Sequence, residues 1–329
     1  MEKKVSKMKE SRQIKYFSLF ILLILVVMVF GACTFSPTSV RKIGALNTGT
    51  AYQVAVRGDI AYVATNDGVV VVDISTRNRP KEIAVVELSE AAFGVDVQDD
   101  LVFIAAPSDG LVIADVQEPS SPKIIGTYPA GGISDVCING HLAFAGTQQG
   151  ELHILTIEDP THPILLNSYQ SNGGLSLMVA CHRDTIYFST SSNGMGVFDV
   201  SNPSTPVKMM AVPNTFGAKD THMVGDFLYL ACHQNGVRIL DITDPRSPKT
   251  VATFNDGGEA WGVGGNAQIL WIGDLQQGVK IYDVSDPQSP LRLTNASRYA
   301  PHDIFFDGQY AYLADQDRGF IVLEYAGDT

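Results

Sequence analysis

The stretch Gly236-Val-Arg-Ile-Leu-Asp241-Ile-Thr-Asp-Pro245-Arg-Ser-Pro248 returns 42 residues later as Gly278-Val-Lys-Ile-Tyr-Asp283-Val-Ser-Asp-Pro287-Gln-Ser-Pro290. Looser copies begin at Gly68, Gly110, Gly150, Gly194 and Gly319, and the seven starts are separated by 42, 40, 44, 42, 42 and 41 residues. A period near 40 residues is the mark of a repeat architecture in which each copy is one supersecondary unit.

Each unit reads as four short strands. The first alternates, as in Gln53-Val-Ala-Val-Arg57, and stops at Gly58-Asp59. The second carries an aromatic at one fixed place: Tyr62, Phe103, Phe144, Tyr187, Tyr229, Trp271 and Tyr312. Aromatics make up only 9% of the chain, so seven hits at one position mark a wedge-filling role between neighbouring sheets. The third strand follows the glycine and ends at an aspartate, and a proline-limited turn leads to the fourth, Lys81 to Leu88 in the first copy. Period-2 alternation bounded by Gly, Pro, Asn and Asp is the strand signature. Four strands per unit, seven times, predict an all-β, seven-bladed propeller of four-stranded antiparallel blades. The last copy stops after its third strand, and Ser39-Val-Arg-Lys-Ile-Gly-Ala-Leu46 resembles the fourth strand Ser121-Pro-Lys-Ile-Ile-Gly-Thr127. The N-terminal strand is therefore expected to complete the seventh blade and close the ring, which removes the unpaired inner edge of an open array.

Gly68-Val-Val-Val-Val-Asp73-Ile-Ser and Gly110-Leu-Val-Ile-Ala-Asp115-Val resemble the LVIVD repeat of bacterial and archaeal cell-surface propellers, over essentially residues 40 to 329. The third copy departs, with Thr156 in place of the aspartate. The resemblance implies an extracytoplasmic propeller and supplies no catalytic residues.

The N-terminus agrees with export. Lys3, Lys4, Lys7, Lys9, Arg12 and Lys15 precede an apolar run from Leu19 to Phe30, then Gly31-Ala32-Cys33. A basic region, a short apolar stretch and small residues before a cut form a secretory signal. The small-small-Cys ending resembles the lipobox of bacterial lipoproteins, which implies a signal peptide over residues 1–32, diacylglycerol on Cys33, a short tether over 33–38 and the propeller over 39–329. Phe30 departs from the aliphatic residue usual in that motif. The rival is an uncleaved anchor, because Tyr16 to Cys33 is just long enough to span a bilayer. Either way the basic end stays in the cytoplasm and the propeller is extracytoplasmic and membrane-anchored.

Six of the 23 basic and two of the 35 acidic residues lie in the first 32, which leaves the remainder at about −16. Without a basic cluster, such a surface argues against nucleic acid as a partner. A cell-surface protein or a small ligand fits better.

Within seven copies, what recurs is scaffold and what varies is a candidate site. Asp73, Asp115, Asp199, Asp241 and Asp283 recur before the turn and are read as turn-stabilising acceptors. Aligned on the second-strand aromatic, Gln53, Gly94, Asp135, Met178, Asp220, Gly262 and Asp303 share one position near the start of the innermost strand. Asp135, Asp220 and Asp303 are thus a candidate cation site, for calcium or another divalent ion. Two places on come Ala55, Asp96, Cys137, Ala180, His222, Gly264 and Phe305. Loops on that face add Tyr52, His233, Glu259, Trp261 and His302. Asp220, His222, His233, Trp261, His302 and Asp303 therefore gather on blades 5 to 7 as a candidate ligand funnel. Two function classes follow: a binding module, or a metal-assisted hydrolase or oxidoreductase using the His/Asp cluster. No Gly-x-Ser-x-Gly or His-Glu-x-x-His motif occurs.

Beyond Cys33, the cysteines are Cys137, Cys181 and Cys232. Cys137 and Cys181 lie in innermost strands of neighbouring blades but one residue out of phase. Since successive side chains alternate between faces, they are expected to point apart, leaving three reduced thiols.

Overall fold

The alternating runs bounded by Gly and Pro become strands throughout. A computed structural model describes residues 39–172, 174–255 and 257–327, and these form seven antiparallel four-stranded sheets. The segments expected to be a signal peptide and tether, with Cys33, lie outside the described residues. Blade 1 runs through Ala51–Arg57, Ile60–Thr65, Gly68–Asp73 and Lys81–Glu87, from the channel outwards. Blades 2 to 6 repeat that order. In the seventh, Ser39–Leu46 pairs with the C-terminal strand Gly319–Ala326, from Ser39 opposite Ala326 to Leu46 opposite Phe320. The ring is closed by joining the two ends of the chain, as the repeat count required.

The core is distributed over seven blade interfaces. Each apolar cluster joins one blade to the next, so blades 1 and 2 share Tyr62, Val71, Val95 and Ile104, and blades 7 and 1 share Tyr312, Phe320, Val63 and Val72. All seven second-strand aromatics are at most 1% exposed, and each packs toward the following blade, as the wedge reading expected.

The recurrent aspartates do what turn chemistry demands of them. Asp73 accepts from the Ser75 N–H, Asp115 from Gln117, Asp199 from Ser201, Asp241 from Thr243 and Asp283 from Ser285, all at 2.8–2.9 Å. In blade 3 the Thr156 hydroxyl accepts from the Glu158 N–H at 3.4 Å instead.

One expectation is overturned. Cys137 and Cys181 form a disulfide, with Cα atoms 6.0 Å apart. The register itself is as read: Cys137 pairs with Phe144, whereas Ala180, not Cys181, pairs with Tyr187. The error lies in the geometry drawn from it. Blades stack face to face, so residues in the same phase all point the same way around the ring. Only residues of opposite phase meet across an interface, and these two thiols do. Cys232 is the free cysteine among the described residues, 1% exposed, with its thiol pushed up to about 11 by burial.

Candidate functional site

Five of the seven innermost strands begin with a break in their ladder. Pairing skips Tyr52 in blade 1, Ser134 in blade 3, Leu177 in blade 4, Trp261 in blade 6 and His302 in blade 7. A β-bulge re-aims side chains by inserting one residue that has no partner. Here it turns two consecutive side chains toward the axis, so that Tyr52 and Gln53, Ser134 and Asp135, and His302 and Asp303 all line one cavity of about 570 Å³ in the central channel. That volume suits a small organic ligand.

The bulged Tyr52, Trp261 and His302 form the mouth together with Phe93 and Lys219, from the same row in blades 2 and 5, whose ladders are unbroken. Phe93 packs edge-on to Tyr52 at 4.8 Å, Tyr52 stacks on His302 at 5.5 Å, and His302 lies 5.3 Å from Trp261. The arc ends at Lys219, whose ammonium sits 4.5 Å from the Trp261 ring centroid. Burial holds its pKa below the usual lysine value. Two hydrogen bonds fix the arc: the Tyr52 hydroxyl donates to Asn66 Oδ1 at 2.7 Å, and His302 Nδ1 lies 2.9 Å from the Ala51 carbonyl, which sets that nitrogen as the donor. His233 stands behind Trp261, 5.8 Å away, and its Nε2 is 3.5 Å from Glu259. Its φ of +49° is unusual for a residue other than glycine, a conformation that persists only where the surroundings impose it.

Below the mouth, the carboxyls are bound into the scaffold. Asp303 Oδ2 accepts from the Val54 N–H of blade 1 at 2.8 Å, Asp135 from Val179 at 2.6 Å and Asp220 from Val263 at 2.7 Å. The Gln53 side-chain oxygen makes the same bond to Val95 at 2.6 Å. Blades 1, 3, 5 and 7 therefore each reach one blade forward to staple the next. In blade 6, Gly262 stands at the equivalent place, and a Cβ there would come within 2.9 Å of the Asp303 Cα. The glycine thus permits the close approach of blade 7. Asp96 bonds forward to Ile138, and His222 Nε2 lies 2.9 Å from the Gly265 carbonyl.

The structure thus brings Asp220, His222, Trp261, His302 and Asp303 to the cavity wall and leaves His233 outside it. Asp135, Asp220 and Asp303 all line the cavity, with their oxygens turned onto backbone N–H groups. Among the described residues no group of three or more His, Cys, Asp or Glu is arranged to hold a metal ion. Phe93 and Lys219 escaped the sequence reading. They share a row with Tyr52, Trp261 and His302, one place before the Gln53 row, and aligning that row would have found them.

Deep placement makes these carboxyls weak acids. Loss of hydration raises Asp135 to about 7, against the two backbone N–H bonds that favour its anion. Asp220 and Asp303 are raised by the same burial, and the charge of Asp303 raises Asp220 further. A carboxyl whose folded-state pKa exceeds its unfolded value holds its proton more tightly when folded. Its contribution is complete below the unfolded pKa and is lost as pH rises through the folded one. Between pH 5 and 8 the protein should therefore lose stability through Asp135. At about 1.36 kcal/mol per unit the loss is about 2–4 kcal/mol. Asp135→Asn, which keeps an acceptor for Val179, should flatten that part of the profile. Urea unfolding at pH 5, 6.5 and 8 checks it; parallel profiles for the two proteins would count against the assignment.

The LVIVD repeat pattern matches residues 48–87, 91–129, 130–171, 184–213, 217–256 and 299–324. No curated protein matches the sequence. Among solved structures, the chain is similar to the WD40 repeats of RRP9 (TM-score 0.71, 8% identity, 87% of this chain and 97% of that one) and to U3-55K (0.69, 8%, 87% and 98%). It is also similar to the computationally designed protein Ika8 (0.65, 10%, 87% and 100%). At such identities the likeness is one of fold.

Proposed function

We propose a function for a chain that belongs to the LVIVD repeat family: it is a membrane-anchored, extracytoplasmic binding module that takes a ligand, or the side chain of a protein partner, at the mouth of its central channel. The observation that carries the reading is the arc of Phe93, Tyr52, His302 and Trp261 around the cavity. These residues vary between blades while the scaffold residues around them recur. Large, rigid aromatic surfaces beside a few oriented polar groups are the composition of binding sites.

The anchoring half of the reading rests on the basic, apolar and Gly31-Ala32-Cys33 segments. The Cys137–Cys181 disulfide supports it independently, since such bonds persist in oxidising, exported settings and are rare in the cytosol. The hydrolase or oxidoreductase reading draws no comparable support, because the carboxyls it would use are engaged in stapling blades.

One preparation tests both halves. Protein extracted from membranes should begin at Cys33 and show the mass of diacylglycerol on it. On denaturation it should release a small molecule that a Trp261→Ala/His302→Ala variant of equal melting temperature does not retain. Absence of lipid mass would leave the uncleaved anchor. Equal retention by the variant would remove the channel mouth as the site.

A further inference from the structure

Resting on the channel mouth as the binding site, we propose that its ligand is a small organic anion: a carboxylate on a six-membered ring, with the charge against Lys219 and the ring against the aromatic arc. The inference comes from sorting the polar groups of the cavity wall by whether the fold already uses them. Asp96, Asp135, Asp220 and Asp303 each accept a backbone N–H from the next blade. His222 is engaged with the Gly265 carbonyl, His302 with that of Ala51, and the Tyr52 hydroxyl with Asn66.

Among the described residues Trp261 Nε1 and Ser176 Oγ make no hydrogen bond, and Lys219 is the charged group the fold leaves unpaired. Its ammonium makes no ion pair among the described residues, and its neighbour is the face of Trp261. Half-buried cations without a counter-charge are costly and uncommon. The row to which Lys219 belongs holds Tyr52, Phe93, Ser134, Leu177, Trp261 and His302 in the other blades, so it is not a repeated scaffold element. A ligand carboxylate would supply the missing charge through a charge-assisted hydrogen bond. The ring would find Tyr52 and His302 beside it, in a space of about 570 Å³.

The walls give the proposal a sign. The titratable groups facing the cavity are Asp96, Asp135, Asp220, Asp303, His222, His302 and Lys219, with the His233–Glu259 pair behind Trp261. As pH rises and the buried carboxyls ionise, the channel becomes more negative. An anion should then bind more weakly at pH 8 than at pH 5.5, and a cation more tightly.

The chain has two tryptophans, and Trp271 is fully buried between blades, so emission changes on titration report Trp261. The test uses the full chain in detergent. Benzoate and glucuronate serve as anionic probes, benzamide and glucose as neutral ones, and benzylamine and glucosamine as cationic ones. We expect one of the anionic pair, aromatic or sugar, to bind at least about tenfold more tightly than its neutral and cationic counterparts. Its affinity should fall from pH 5.5 to 8. Lys219→Met should lose that preference, and Lys219→Arg should keep it at an unchanged melting temperature. Tighter binding of a cationic or neutral probe, or an unaffected Lys219→Met variant, would overturn the inference and leave the binding site standing. Silence from all six probes would likewise overturn the inference, while the retention experiment on the Trp261→Ala/His302→Ala variant decides separately whether the channel mouth is the site.

Discussion

Deleting residues Ser39 to Asn47 is expected to lower the melting temperature by more than about 10 °C and to make the protein aggregate. The strand Ser39–Leu46 pairs with Gly319–Ala326 over seven positions and is the outer wall of the seventh blade. Buried Gly44 sits against the Arg77 carbonyl of blade 1, and Ile43 and Leu46 pack against the cluster shared by blades 7 and 1. Several inter-strand hydrogen bonds, each worth about 1 kcal/mol net, disappear together with this packing. A total of about 5 kcal/mol or more corresponds to a fall of that size for a domain of this length. The strand left behind would present an unpaired edge, which templates pairing with other chains. Thermal melts and light scattering of the truncated and intact proteins measure both effects. Coincident melts would mean that the ring is not held closed by this strand.

Breaking the disulfide should have the next largest effect. The bond between Cys137 and Cys181 links residues 44 apart in sequence. In the chain-entropy description a loop of that length is worth about 4 kcal/mol through its constraint on the unfolded chain. The Cys137→Ala/Cys181→Ala variant should therefore unfold at a clearly lower denaturant concentration than the oxidised wild type. Wild type with reductant present throughout should behave like the variant. Thiol titration of the denatured, unreduced mature protein should find Cys232 and neither of the other two. Finding three thiols would break the assignment, as would a variant as stable as the oxidised protein.

The fold and the candidate site were legible to different depths. Strand positions, the buried aromatics and the Asp-to-turn hydrogen bonds at Asp73 or Asp241 depend on residues close in sequence. The repeat shows them seven times. Even the closure by Ser39–Leu46 could be read, because the fourth strand missing from the last copy matched a piece at the other end of the chain. The site residues Asp220, His222, Trp261, His302 and Asp303 emerged as the places where the copies disagree.

What the sequence could not supply was the relation between blades. The same phase difference that suggested Cys137 and Cys181 point apart is what brings them together, once sheets are stacked face to face around an axis. Similarly, Asp135, Asp220 and Asp303 looked free to hold a cation until the next blade placed the N–H groups of Val179, Val263 and Val54 in front of them. Tyr52 and His302 were read as loop residues on the face of Gln53 and Asp303; they lie instead within the innermost strands, where a bulge turns both members of each pair toward the channel. The sequence by itself determined the blade, its number and its closure, because these follow from local patterning repeated at a fixed period. The tertiary structure alone decided which groups are spent on holding neighbours together and which, like Lys219, are left facing the cavity, because both outcomes depend on contacts between residues about one repeat apart.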